Sequence, residues 1–94
     1  MSHIPNIMDA STDLRRCVSA NIHDESFEIF LLNAKKIIDD NLKTISPETK
    51  SLIFECIKNS EKNDLEENEK KEHLLMAASL LQIEYLSQLK NNSD

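Results

Sequence analysis

Glu69 and His73 stand four residues apart, a spacing that puts a carboxylate and an imidazole on one helix face, where they could supply two ligands to a metal ion. A tetrahedral zinc site needs at least three protein ligands, and no His-x-x-x-His pair occurs in the chain. His23 is remote in sequence, so the Glu69–His73 pair reads as part of a solvated helix face, and no metal or cofactor is expected. Cys17 and Cys56 lack the close spacing of metal-binding cysteines. Catalysis by either would require a base and an oxyanion hole, and Cys56 falls on an apolar helical stripe. Both therefore read as structural thiols in a reducing, cytoplasmic setting. Arg15 and Arg16 could touch a phosphate or an acidic partner, but two adjacent arginines are commonplace on protein surfaces. No constellation of an enzyme emerges.

The charge balance narrows the partners. Seventeen acidic and eleven basic residues leave a net charge of −6. Affinity for duplex DNA comes largely from phosphate neutralisation, so this composition disfavours DNA as a partner and favours a protein with a basic surface. The chain has no Gly, two Pro and no Trp. Without Gly, tight hairpin turns and phosphate-cradling loops are hard to build, which argues against sheets, P-loops and dinucleotide folds together. The start, "MSHIPNIMDAS", has neither the basic residues nor the apolar run of a signal peptide. The apolar stretch "HLLMAASLLQIEYL" is interrupted by Gln82 and Glu84 and is too short to span a bilayer, so no membrane association is expected.

These features predict an all-α fold, a small bundle of three to four helices in one domain over residues 11–94, preceded by a flexible tail at 1–10. Ser11 is placed to cap a short helix near 12–20, with Leu14, Cys17 and Val18 on one face. In "DESFEIFLLNAKKIIDDNLK", Asp24 suits an N-cap, and Phe27, Leu31, Ala34, Ile38 and Leu42 recur at helical spacing, widened by Phe30 and Ile37. The helix should end near Lys43. Next, "TISPETK" is a helix start: Ser46 fits the N-cap, Pro47 the first helical position, and Glu48 the positive end of the helix dipole. That third helix should run from Pro47 to Glu61 with Ile53, Phe54, Cys56 and Ile57 inward.

The last helix, predicted over 64–90 with Asp64 as its cap, changes character along its length. "DLEENEKKE" is nearly all charge, an acidic run that reads as a solvated helix start or as a docking surface for a basic partner. "HLLMAASLLQIEYLSQL" is apolar on more than one face. Leu75, Ala78, Leu81 or Gln82, Tyr85 and Leu89 make one seam, and Leu74, Ala77, Leu80 and Leu81 make another. A helix of this length exceeds the core of so small a domain, and one that is apolar on two faces buries the excess against a second chain. A homodimer is expected, with Leu75, Ala78, Leu81, Gln82, Tyr85 and Leu89 at its interface.

With these elements in order, the segment "SANIHDESFEIFLLNAKKIIDDNLKTISPETKSLIFECIKNSEKNDLEENEKKEHLLMAASLLQ" resembles the YmgB/AriR/YcgZ family of small enterobacterial biofilm and acid-resistance regulators. The likeness lies in the succession of elements: a segment ending near "ANIH", an acidic helix start, an apolar helix, a polar connection before "IS", a short helix, a charged stretch and an apolar last helix. The connection here lacks Gly, and the chain continues into "IEYLSQLKNNSD". The resemblance implies an all-α, homodimeric, non-enzymatic connector that feeds stress signals into a two-component phosphorelay controlling biofilm formation and acid resistance. Two other classes stand beside it. One is a nucleoid-associated DNA-binding modulator using Arg15, Arg16, Lys35, Lys36 and Lys43. The other is an acidic inhibitor of the antitoxin or immunity type that neutralises a basic partner.

Overall fold

The computed structural model describes residues 6–91, which form four α-helices and one 3-10 turn and, among the described residues, no strand. The helices are α1 (Ile7–Ser19), α2 (Glu25–Asp40), α3 (Pro47–Ser60) and α4 (Glu67–Asn91), with the 3-10 turn at Leu42–Thr44.

Helix α1 begins earlier than the sequence reading placed it. Its start is a capping box in "NIMD". The Asn6 Oδ1 accepts from the Met8 and Asp9 amides at 2.8 and 3.2 Å, and the Asp9 carboxylate accepts from the Asn6 amide at 2.9 Å. Ile7 and Ala10 are buried, so residues 7–10 belong to the folded domain and not to a tail; residues 1–5 lie outside the described residues. Ser11 caps nothing. It is fully buried one turn into the helix, and its hydroxyl donates to the Ala78 carbonyl in α4 at 2.8 Å.

Helices α2 and α3 follow their sequence signals more closely. The Asp24 side chain accepts from the Ser26 amide, and Phe27, Ala34 and Ile38 are buried, with Phe30, Leu31, Ile37 and Leu42 packed against them. Pro47 opens α3, where its missing N–H has no intrahelical acceptor to lose. Ser46 sits at the N-cap position, but its hydroxyl bonds the Thr49 hydroxyl at 2.8 Å and makes no cap bond to the backbone. Ile53, Cys56 and Ile57 face inward as expected, whereas Phe54 is 42% exposed. Helix α4 starts at Glu67, past Asp64, and the Lys70 amide donates to the Glu66 carbonyl as the first turn closes.

Helix α1 packs against both α2 and α4, and α3 packs against α4. The core runs through this seam: Leu14, Cys17, Ala34, Ile38, Ile53, Leu74, Ala77, Ala78 and Leu81 are all at most 1% exposed. Ala10, Ala77 and Ala78 do here what Gly does elsewhere, leaving room for helix backbones to approach, which is why a serine hydroxyl on α1 reaches a carbonyl on α4. Polar ties hold the connections on α4. The Ser46 amide donates to the Glu84 carboxylate at 2.6 Å, the Gln88 amide group donates to the Thr44 carbonyl at 2.7 Å, and the Ile22 amide donates to Glu67 at 3.4 Å. An ion pair between Lys35 and Glu61 links α2 to the end of α3.

Two stability predictions follow from these caps and this core. Asn6→Ala should cost about 1 kcal/mol through the lost capping box, whereas Ser46→Ala should cost less than about 0.5 kcal/mol, since no backbone cap is lost. Leu81→Ala should cost about 2 to 5 kcal/mol by leaving a cavity in the core. Urea unfolding followed by circular dichroism measures all three; a Ser46→Ala loss as large as that of Asn6→Ala would contradict the cap assignment.

Candidate functional site

Helix α4 has apolar residues on opposite sides. Its inner side carries Leu74, Ala77, Ala78 and Leu81, with Leu80 and Tyr85 packed partly against the core. Its outer side leaves Leu75, Met76, Ile83, Leu86 and Leu89 in solvent at 37, 56, 64, 54 and 49% exposure. At 100° per residue these five form one stripe, with the exposed Ser79 at its centre. Leaving so much aliphatic surface wet on one helix costs hydrophobic free energy that a partner surface would recover.

The six residues expected at a subunit interface are thus divided by the fold. Leu75 and Leu89 lie on the outer stripe. Ala78 and Leu81 are fully buried in the chain's own core, so neither is available to a second chain. Tyr85 is half-buried beside the same core, and Gln82 is half-buried, its side-chain oxygen accepting from the Arg15 guanidinium at 2.7 Å. Met76, Ile83 and Leu86, outside the expected six, join Leu75 and Leu89 on the outer stripe. A heptad count from Leu75 through Ser79, Gln82, Leu86 and Leu89 would have found the outer stripe; the sequence reading instead drifted by one residue at Ala78 and crossed onto the inner face. Smaller exposed apolar groups remain at Ile29 and Leu32 on α2 and at Leu52 on α3.

A groove of about 510 Å³ lies between α1 and α2, with Asp9, Asp13, Arg16, Lys36 and Asp40 among its walls. Asp13 is its one buried carboxylate. Burial raises its pKa, an effect opposed by the neighbouring Arg16, which donates to it at 3.4 Å. Arg16 also lies over the Phe30 ring, 5.8 Å from the centroid. Thr12, Asn33 and Ile37 complete the lining among these acidic and basic side chains.

The other residues singled out by type are dispersed. Among the described residues no group of three or more His, Cys, Asp or Glu side chains is placed to hold a metal ion, so Glu69 and His73 gain no third ligand. Cys17 and Cys56 are free, buried thiols. Desolvation, then the nearby Asp13, pushes Cys17 up to about 11, and its thiol bonds the Phe27 carbonyl at 3.4 Å; desolvation and Glu55 raise Cys56. A thiol in that state stays protonated near neutrality and is a poor nucleophile. Arg15 is occupied with Gln82, Arg16 with Asp13 and Lys35 with Glu61. The acidic segment is solvated, with Glu61, Asp64, Glu66, Glu67, Glu69 and Glu72 all exposed. No described helix is long and apolar enough to cross a membrane. No family model, curated protein or solved structure matches the chain.

The Asp13 environment sets a pH dependence. Its pKa is raised by folding, so its proton stabilises the fold; that contribution is complete below the ordinary aspartate range and is lost as pH rises through the folded-state value. Asp13→Asn should therefore stabilise the protein at neutral pH, and the gain should shrink toward zero near pH 3, as read from urea midpoints at each pH. A gain independent of pH would assign the effect to packing instead. In the same protein, Cys17 should resist a thiol reagent at about pH 8 until denaturant is added.

Proposed function

We propose that this chain is a small non-enzymatic regulatory protein that acts in the cytoplasm as a homodimer, through protein–protein contacts. The observation that carries this reading is the outer face of α4, where five large aliphatic side chains stand in solvent directly behind a fully packed inner face. A monomer gains nothing from that stripe, while a dimer buries it. The exposed carboxylates from Glu61 to Glu72 supply a second surface, suited to a partner with a basic face. The resemblance to the YmgB/AriR/YcgZ regulators supports placing that partner in a two-component phosphorelay that governs biofilm formation and acid resistance, with this chain as the connector.

The role of DNA-binding modulator has less support. Of the five basic residues of that reading, Arg15, Arg16 and Lys35 each already engage a side chain of their own chain, Lys36 and Lys43 stand exposed, and the net charge is −6. A basic stripe able to replace counterions along a duplex is not assembled from them.

Light scattering at micromolar concentration should give the mass of a dimer. Ile83→Asp and Leu86→Asp should each give a folded monomer whose stability changes by less than about 0.5 kcal/mol, because both positions are exposed in the single chain. A wild-type monomer would refute the assembly. For the second surface, Glu66, Glu67 and Glu69 changed together to Gln should leave the dimer intact and abolish capture of a phosphorelay protein by the immobilised chain. Equal capture by both forms would remove the acidic face from the account.

A further inference from the structure

The outer stripe of α4 has a spacing and a polarity that specify how a second copy would lie on it. Glu72, Leu75, Ser79, Gln82, Leu86 and Leu89 follow one another at alternating steps of three and four residues, the pattern of a two-helix seam. Met76 and Ile83 flank that seam and are among the most exposed aliphatic residues of the helix. The stripe is also electrically polar from end to end. Glu67, Glu69 and Glu72 outnumber Lys70 and Lys71 at the start of α4, where Lys71 pairs with Glu67, and Lys90 lies in the last turn.

Resting on the homodimer reading above, we propose that two copies pair through α4 in antiparallel sense, about a two-fold axis passing between Leu80 and Leu81. In this register Leu75 meets Leu86 of the partner subunit, Met76 lies beside Ile83 of the partner subunit, and Ser79 faces Gln82 of the partner subunit. The small Ser79 at the centre lets the two helices close. Glu72 then lies against Leu89 and Lys90 of the partner subunit, an apolar contact beside an opposite charge. The two helix dipoles run head to tail and offset each other.

A parallel pair has the opposite character. The seam residues would meet their own copies, placing Glu72 against Glu72 and the two acidic first turns side by side. It would also carry the Met76 and Ile83 flanks of the two copies to opposite sides of the seam, where neither covers the other. The interface is isologous in either case, so charge and register decide between the two arrangements.

Single-cysteine replacements at exposed ends of the stripe test the orientation, since both native thiols are buried. In the antiparallel register the two copies of residue 72 stand about 25 Å apart at 1.5 Å of rise per residue, while residue 72 of one copy lies beside residue 90 of the other. Under mild oxidation, Glu72→Cys alone and Lys90→Cys alone should stay uncrosslinked. Mixing the two variants should yield a disulfide-linked heterodimer as the main crosslinked species on a non-reducing gel. Efficient self-crosslinking of Glu72→Cys, with no mixed product, overturns the antiparallel arrangement while leaving the dimer standing. A dimer by light scattering that gives neither product shows that the copies meet elsewhere and overturns the proposal. A monomer by light scattering overturns the underlying homodimer reading itself, and is distinguished from both by mass alone.

Discussion

The seating of α1 on α4 at Ala78 is the contact on which the rest of this small fold depends. Ala78 presents no side chain beyond a methyl group, and Ser11 donates to its carbonyl from a fully buried position. A buried hydroxyl left without an acceptor would cost about 1 to 3 kcal/mol, so this bond fixes the register of α1 along α4 as well as their distance. Leu14 and Cys17, further along α1, then fall into the same core as Leu74 and Leu81. With α1 held there, α2 has a surface to cover, and α3 closes the other flank of α4.

Helix α4 is consequently the spine. Its inner side buries Leu74, Ala77, Ala78 and Leu81, each removed from water completely. The segments preceding α2 and α3 are tied to it by Ile22–Glu67, Ser46–Glu84 and Thr44–Gln88 hydrogen bonds, exposed contacts of modest individual worth that nonetheless set where those helices begin. None of these uses the outer side. A second apolar stripe there has no part in holding one chain together, and this is the physical basis for reading it as an association surface.

The polar groups tell a consistent story of chemistry that stays quiet. Cys17 is desolvated and further opposed by the charge of Asp13, which itself is desolvated and leans on Arg16. Arg16 in turn rests on Phe30. This chain of contacts orders the α1–α2 groove around one buried carboxylate and keeps the thiol protonated. Two surfaces stand exposed on the same helix: an aliphatic stripe on α4 and a solvated row of carboxylates just before and within its first turns.

Much of this architecture was legible before any coordinates. The absence of Gly, the helical spacing of Phe27, Ala34 and Ile38, the Ser46–Pro47 start and the apolar C-terminal run each act through local sterics or short-range periodicity, and each reappears in the fold. The capping box at Asn6 and Asp9 was equally local, but "NIMD" was overlooked in favour of Ser11. Other features were not local at all. That Phe54 points outward, that Ser11 is buried and that Ala78 and Leu81 belong to the chain's own core depend on where α1 and α3 lie around α4. A helix that is apolar on two sides does not by itself say which of them packs against its own chain. Which side faces its own chain is decided by long-range packing, because the small residues that admit close approach are recognised as such only once another helix rests on them.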